Sequence, residues 1–168
     1  MIEDALACIT LCNEKGVSKD DIIKYMNTFH GAKRRFAETK VGDCILVDDY
    51  AHHPNEVETV LKTARQKYPD KELVPVLVPY TISRVQAFYK EFAEALDIAD
   101  KSYIMPIGED RIEEGYDDVT HFDIINETHN GEEITMETAE KLLPYEHAVL
   151  LFMSSKDIYF LEDKYKEL

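Results

Sequence analysis

Residues 45–54 read Ile-Leu-Val-Asp-Asp-Tyr-Ala-His-His-Pro, and this stretch decides the fold prediction. A short apolar run ends in two acids, an aromatic ring, two imidazoles and a proline, and Asn55 then begins a segment with strong helical periodicity. Ligands of open α/β sheets bind where a buried strand ends and a helix begins. Residues 48–54 are therefore the first candidate for a functional site.

The composition indicates one ordinary globular domain with a hydrophobic core. The chain has 168 residues, of which 45% are hydrophobic and 32% are charged. No apolar run approaches the ~18 residues of a membrane span, and the acidic first residues do not resemble a secretory signal. The formal charge of −15 leaves no basic face for nucleic-acid phosphates. Three cysteines without metal-site spacing fit a reducing cytosol. We therefore expect a cytoplasmic protein that binds neither nucleic acid nor a membrane.

Strand and helix periodicities alternate along the chain after two short amphipathic helices, which end at Gly16 and Gly31. The predicted strands are 36–40, 44–49, 73–78, 101–105 and 148–153, with 122–125 as an edge strand. Helices are predicted after Pro54 and over 85–96, 136–143 and 157–168. Such alternation implies right-handed βαβ crossovers. The fold prediction is an α/β, Rossmann-like, mostly parallel sheet flanked by helices and preceded by a short helix pair.

Two acids and two histidines form the polar end of the second predicted strand. Because neighbours in a strand face opposite ways, one of Asp48 and Asp49 should face a crevice and the other a helix or turn. A carboxylate there can accept hydrogen bonds from a ribose diol, or both acids can simply end the strand. His52 and His53 are adjacent and lack a third ligand at useful spacing, so no metal site is predicted. Hydrogen bonding or acid–base chemistry competes with an ordinary loop role.

Basic residues mark two further places in this acidic chain. Lys33, Arg34 and Arg35 form a small positive spot, and guanidinium groups suit phosphates or carboxylates, although solvated surface charge is the alternative. Arg84 lies near a helix start, predicted at Ser83, where it could hold an anion together with backbone N–H groups. No G-x-x-x-x-G-K-[ST] phosphate loop is present in the sequence. The residues therefore predict part of a site rather than a complete one.

The polar stretch also resembles a known family. Residues 48–54, Asp-Asp-Tyr-Ala-His-His-Pro, are similar to the signature that opens the C-terminal domain of the Mur ligases. Residues 29–36, Phe-His-Gly-Ala-Lys-Arg-Arg-Phe, resemble the family's junction between the central and C-terminal domains, and the likeness continues at 93–100 and 148–153. This resemblance implies that residues 1–33 are the helical end of the central domain and that 34–168 are the C-terminal Rossmann-like domain.

The resemblance implies ATP-dependent amide ligation in peptidoglycan precursor synthesis, in the form that joins L-alanine to UDP-N-acetylmuramate. ATP phosphorylates the muramoyl carboxylate and leaves ADP, and the amine of alanine then attacks the acyl phosphate and releases inorganic phosphate. The implied cofactors are ATP and Mg²⁺, both held mainly by the central domain. The implied partners are the central and N-terminal domains of the same bacterial, cytoplasmic enzyme. This chain alone is not expected to catalyse, because it lacks the phosphate loop.

The resemblance also implies roles for individual residues. Asp49 would bind the ribose hydroxyls and Arg35 the nucleotide phosphates, with Tyr50 and His53 as further cofactor-binding residues. His52 and Arg84 would act catalytically, where the amino acid and the acyl phosphate meet.

The sequence also differs from the family pattern at three places. Tyr80 stands where the family has histidine, residues 154–156 are Ser-Ser-Lys in place of Gly-Ala-Gly, and 106–111 lack the family's Gly-Ser-Ala-Arg-Glu. Two alternatives therefore stay open. One is a diverged, non-catalytic nucleotide-binding or regulatory module, and the other is a related ligase that joins a peptide to the muramoyl group.

Overall fold

The computed structural model describes residues 2–29, 31–108, 118–156 and 158–167. The chain divides into two compact units, Met1–Ala32 and Lys33–Leu168. The first unit contains α1 (Ile2–Glu14) and α2 (Lys19–Asn27). Ser18 begins α2, because its Oγ accepts the N–H of Asp21 at 3.2 Å. The predicted pair of short helices is thus confirmed.

The second unit is built on a sheet of six described strands. They are β1 (Ala37–Val41), β2 (Cys44–Asp49), β3 (Glu72–Leu77), β4 (Ser102–Ile104), β5 (Gly131–Glu133) and β6 (Ala148–Met153). Their order in the sheet is β1-β2-β6-β3-β4-β5. Only β1 runs antiparallel to its neighbour, and the other four pairings are parallel. The structure confirms the predicted α/β fold with a mostly parallel sheet.

Helices cover both faces of this sheet. The first face carries α3 (Pro54–Lys67), α4 (Ile82–Leu96) and α5 (Phe122–Glu127), and the second carries a 3-10 helix (Met136–Leu142) and α6 (Tyr159–Glu167). Side chains of β6 alternate between the two cores, which explains why this strand reads as a continuous apolar run. Within the described parts of the chain, no helix has the length and apolar character needed to cross a membrane.

The order of the strands predicts a crevice at the carboxyl ends of β2 and β6. These two strands are neighbours, and Asp49 is opposite Met153 in their parallel register. The chain leaves β2 for α3 on the first face of the sheet, whereas it leaves β6 for α6 on the second. Connections that diverge in this way leave space between them, which is where open α/β sheets bind ligands. The fold therefore places the loops after β2 and β6 next to each other, and we call the place between them the crevice.

The predicted edge strand over residues 122–125 is wrong, because these residues form α5. Asp123 Oδ2 accepts the N–H of Thr120 at 2.7 Å, and the Oγ1 of Thr120 accepts the N–H of Phe122 at 3.2 Å. These bonds satisfy donors at the start of a helix. The edge of the sheet is formed instead by β5. Residues 109–111, part of the segment that lacks the family's Gly-Ser-Ala-Arg-Glu, lie outside the described residues.

Candidate functional site

Asp49, at the end of β2, is 6% exposed and holds two turns of the backbone. Its Oδ2 accepts the N–H of Phe36 at 2.7 Å, and its Oδ1 accepts the N–H of Ala51 at 2.8 Å. Burial raises the pKa of the Asp49 carboxyl, and these two hydrogen bonds oppose that rise. Each oxygen has a second lone pair, so the carboxylate can still accept a hydroxyl donor. The turns before β1 and after β2 are thereby fixed to each other.

Asp48 faces Arg34, which is turned into the fold. Arg34 Nε donates to Asp48 Oδ1 at 3.3 Å, and the Arg34 side chain is 16% exposed. Its Nη2 donates to the backbone carbonyl of Ser154 at 2.7 Å and also to the carbonyl of Lys156. One guanidinium therefore joins the segment before β1, the end of β2 and the loop after β6. The sequence left surface charge and ligand binding open for Lys33, Arg34 and Arg35. Arg34 has neither role, because its guanidinium is engaged by groups of the protein.

Tyr50 lies between two arginine side chains. Its ring centroid is 5.3 Å from the Cζ of Arg34 and 5.4 Å from the Cζ of Arg35, which are cation–π distances. Its backbone N–H donates to the carbonyl of Arg34 at 2.9 Å. Arg35 is exposed, in contrast to its neighbour. The ring therefore supports one exposed guanidinium at the mouth of the crevice, which suits an anionic ligand.

His52 is held by contacts to its Nδ1 atom. This nitrogen lies 2.9 Å from the backbone carbonyl of Tyr50 and 3.1 Å from Glu56 Oε2, and the imidazole is edge-on to the Tyr50 ring at 5.1 Å. Both neighbours of Nδ1 are oxygen acceptors, so Nδ1 is placed to donate a hydrogen bond. In the tautomer that donates from Nδ1, Nε2 can accept a hydrogen bond. This arrangement is compatible with the predicted catalytic role.

His53 packs against α4, with its ring 5.0 Å from the ring of Phe88. Its backbone N–H donates to Glu56 Oε2 at 3.1 Å, and the N–H of His52 donates to the same oxygen at 3.0 Å. Glu56 thereby caps the start of α3, as an acid in a first helical turn commonly does. His53 has a structural role here, and its nucleotide contact stays a prediction.

Arg84 reaches the same loop from the first turn of α4. Its Nη1 donates to the backbone carbonyl of His52 at 3.3 Å. The helix begins after Thr81 rather than at Ser83, so the predicted N-cap is wrong by two residues. Direct contacts therefore run from Arg35 through Tyr50 and His52 to Arg84. The structure brings the six sequence-predicted site residues together at the carboxyl ends of the parallel strands.

Tyr80 and Lys156, two residues at which the sequence differs from the family pattern, also meet at the carboxyl ends of the strands. The Nζ of Lys156 lies 4.6 Å from the centroid of the Tyr80 ring. A Cβ atom added at Gly108 would lie 2.9 Å from Cδ2 of the same ring. The Tyr80 ring thus fills the space between the loop after β6 and the loop after β4. No sequence motif indicated this contact.

The charges at the carboxyl ends of the strands suit an anionic ligand. Asp48, Asp49 and Glu56 already accept hydrogen bonds from the protein, while Arg35 and Lys156 are exposed cations. In the portion that the structure describes, no group of three or more His, Cys, Asp or Glu side chains could hold a metal ion.

Comparisons with known proteins agree with this architecture. Residues 34–156 match the family model described as "Mur ligase, glutamate ligase domain". The chain is 41% identical over 165 residues to the UDP-N-acetylmuramate–L-alanine ligase of Limosilactobacillus reuteri. This match covers 98% of this chain and 38% of that relative. It is 37% identical over 166 residues to the enzyme of the same name from Lactococcus lactis subsp. cremoris, again covering 98% and 38%.

Among solved structures, the chain is similar in fold to the UDP-N-acetylmuramate–alanine ligase of Thermotoga maritima. The TM-score is 0.80 at 22% identity, and the match covers 99% of this chain and 36% of that one. The chain thus spans 38% of the length of the curated relatives that it matches. The family model covers most of the chain, including β1, β2 and the crevice residues. The chain belongs to the Mur ligase family, whose model matches residues 34–156.

Proposed function

We propose that this chain is the C-terminal part of an ATP-dependent ligase that joins L-alanine to UDP-N-acetylmuramate in peptidoglycan precursor synthesis. The observation that carries the proposal is the run of contacts from Arg35 through Tyr50 and His52 to Arg84. It gathers a guanidinium, an imidazole and a second guanidinium at the crevice of an α/β sheet. The names of the most similar relatives support the choice of substrates.

The chemistry of amide ligation needs fixed cations and a proton acceptor, which the guanidinium groups of Arg35 and Arg84 and the imidazole of His52 would supply. ATP supplies the phosphoryl group that activates the muramoyl carboxylate, and negative charge accumulates as the amine attacks. Fixed cations and donors stabilise such charge, because they need no reorganisation during the reaction. Arg35 would bind nucleotide phosphates, and Arg84 would face the reacting carboxyl group. His52 would hold or receive a proton at Nε2.

Asp49 would bind the ribose hydroxyls through the lone pairs that its two backbone contacts leave available. Tyr50 and His53 would complete the nucleotide side of the crevice. Magnesium accompanying ATP would be held mainly by the other domains of the enzyme, since the described residues of this chain include no group suited to a metal ion. With these substrates, the whole enzyme would act in the bacterial cytoplasm.

A turnover assay of the full-length protein that contains this chain tests the proposal. We expect ADP release from magnesium ATP only when UDP-N-acetylmuramate and L-alanine are both present, with less from serine or glycine. Arg84→Gln should lower kcat. A full-length enzyme that forms ADP with a peptide but not with L-alanine would be a muramoyl–peptide ligase instead. No ADP with either acceptor would favour a non-catalytic module.

A further inference from the structure

The carboxylate of Glu56 lies beside His52 at the start of α3. Its Oε2 accepts the backbone N–H of His52 at 3.0 Å and that of His53 at 3.1 Å. The same oxygen is 3.1 Å from Nδ1 of the His52 imidazole. The two backbone donors belong to the entry of the helix, so they fix the position of the carboxylate. One carboxylate oxygen therefore contacts both the backbone and the ring of the same histidine.

His52 is also held from two other directions. Its Nδ1 is 2.9 Å from the carbonyl of Tyr50, and its ring lies edge-on to the Tyr50 ring at 5.1 Å. Its own carbonyl accepts a hydrogen bond from Arg84 Nη1 at 3.3 Å. Nδ1 thus lies between two oxygen acceptors, of which only the Glu56 carboxylate is charged. The hydrogen bond made by one ring nitrogen decides the role of the other, so these contacts favour Nε2 as the acceptor.

Capping of α3 alone does not account for the contact between Glu56 and the ring. The N–H groups of His52 and His53 need an oxygen acceptor, and a neutral amide oxygen would satisfy them as well as a carboxylate does. A carboxylate beside Nδ1 has a further effect, because it holds the orientation and the tautomer of an imidazole that transfers a proton. The side chains of His52 and Glu56 are 22% and 40% exposed, so solvent moderates this effect.

We propose that Glu56 is a positioning residue for His52, whose imidazole it holds with Nδ1 as the donor and Nε2 as the proton acceptor of the ligation step. This inference rests on the proposed function, in which His52 acts at Nε2. The attacking amine forms its bond to the carbonyl carbon as the bond to phosphate breaks. A proton lost by the amine passes to Nε2, and the ring later releases it to solvent. Glu56 acts through His52 and exchanges no proton itself.

Steady-state kinetics of Glu56→Gln in the full-length enzyme tests this role. Glutamine keeps an oxygen for the two backbone N–H groups but removes the charge beside Nδ1. We expect kcat to fall roughly three- to tenfold, the difference between a charged and a neutral hydrogen bond. The KM for ATP should stay within about twofold of wild type, since nucleotide binding is not involved. Glu58→Gln is the matched control and should leave kcat unchanged, because Glu58 lies on the same helix and pairs with Lys62.

A double-mutant cycle with His52→Ala distinguishes positioning from capping. If Glu56 acts through the ring, Glu56→Gln should change kcat by less than about twofold once His52 is alanine. If Glu56 only caps α3, Glu56→Gln should leave kcat at the wild-type value in both backgrounds, because the amide oxygen still accepts the backbone N–H groups. That result, or an equal fall in kcat with and without the imidazole, would overturn the inference.

Magnetic resonance of the full-length protein with ¹⁵N-labelled histidine keeps this inference separate from the proposed function. The ring nitrogen signals report which nitrogen of a neutral imidazole carries hydrogen, and the His52→Ala variant identifies the signals of His52. We expect hydrogen on Nδ1 in the wild type and more of the other tautomer in Glu56→Gln.

This change in a protein that forms no product with L-alanine would refute only the proposed reaction. Identical His52 signals in Glu56→Gln and in a wild-type enzyme that turns over would refute only the role of Glu56. Identical signals without turnover would refute both.

Discussion

The guanidinium of Arg34 donates to the backbone carbonyl of Ser154 at 2.7 Å, although the two residues are 120 positions apart. Arg35, the next residue, is exposed and lies over the ring of Tyr50. Two adjacent arginines thus have different environments. Arg34 and Phe36 have φ angles of 55° and 54°, which is uncommon for residues other than glycine. The contacts of Arg34 and Asp49 hold this backbone in place.

This division predicts different effects on stability for the two arginines. Arg34→Gln should lower the free energy of unfolding by about 2 to 4 kcal/mol, because Asp48 is left buried without its charged partner. Arg35→Gln, the matched control, should change it by no more than about 0.5 kcal/mol. Urea denaturation of both variants measures the difference. Equal losses in the two variants would refute the structural assignment of Arg34.

Gly108 and Tyr80 provide a steric test of the crevice. Gly108→Ala should destabilise the protein by about 1 to 3 kcal/mol, because the new methyl group forces the Tyr80 ring to move. In a Tyr80→Ala background the same change should be neutral or slightly stabilising, since the clash is absent and alanine restricts the unfolded chain. A double-mutant cycle by urea denaturation measures the coupling. Additive effects of the two substitutions would show that the ring does not lie against Gly108.

The ion pairs of Glu132 predict a pH dependence at the edge of the sheet. Its Oε2 is 2.8 Å from Lys101 Nζ and its Oε1 is 2.7 Å from Lys141 Nζ, and the two lysines lower the pKa of Glu132 to about 2. A lowered carboxyl pKa stabilises the fold above the ordinary glutamate pKa, and this stabilisation is lost as the pH falls toward 2.

The contribution of Glu132 should be below about 1 kcal/mol, because the group is partly exposed and solvent screens it. Wild type should therefore be slightly more stable than Glu132→Gln at about pH 6, and the difference should shrink at about pH 3. Urea denaturation at the two pH values checks this. A difference that grows on acidification would contradict the assignment.

The sequence predicts the central elements of the fold because their patterns are unambiguous. Residues 148–153 are apolar without interruption, which is typical of a strand buried on both faces, and Pro54 marks the start of α3. The prediction of a strand at 122–125 is wrong because the apolar residues of this segment fit a strand as well as a short helix. The caps at Thr120 and Asp123 were the signal that distinguishes them. β5 has no apolar alternation to predict it.

The site was predictable only as far as one local motif extends. Residues 48–54 indicated Asp49, Tyr50, His52 and His53 together, because they are consecutive or nearly so. The pairing of Arg34 with Ser154 and that of Lys156 with Tyr80 join distant positions. A single sequence contains no pattern that relates such positions, and the pairing of β6 with both β2 and β3 brings them together.

The central claim is that the carboxyl end of β2 faces a nucleotide, and steady-state kinetics of Asp49→Asn in the full-length enzyme tests it most directly. Asparagine keeps an oxygen that can accept a backbone N–H but removes the charged acceptor for the ribose hydroxyls. We expect the KM for ATP to rise by roughly tenfold, in line with loss of a charged hydrogen bond, and the KM for L-alanine to change less. An unchanged KM for ATP would contradict the claim.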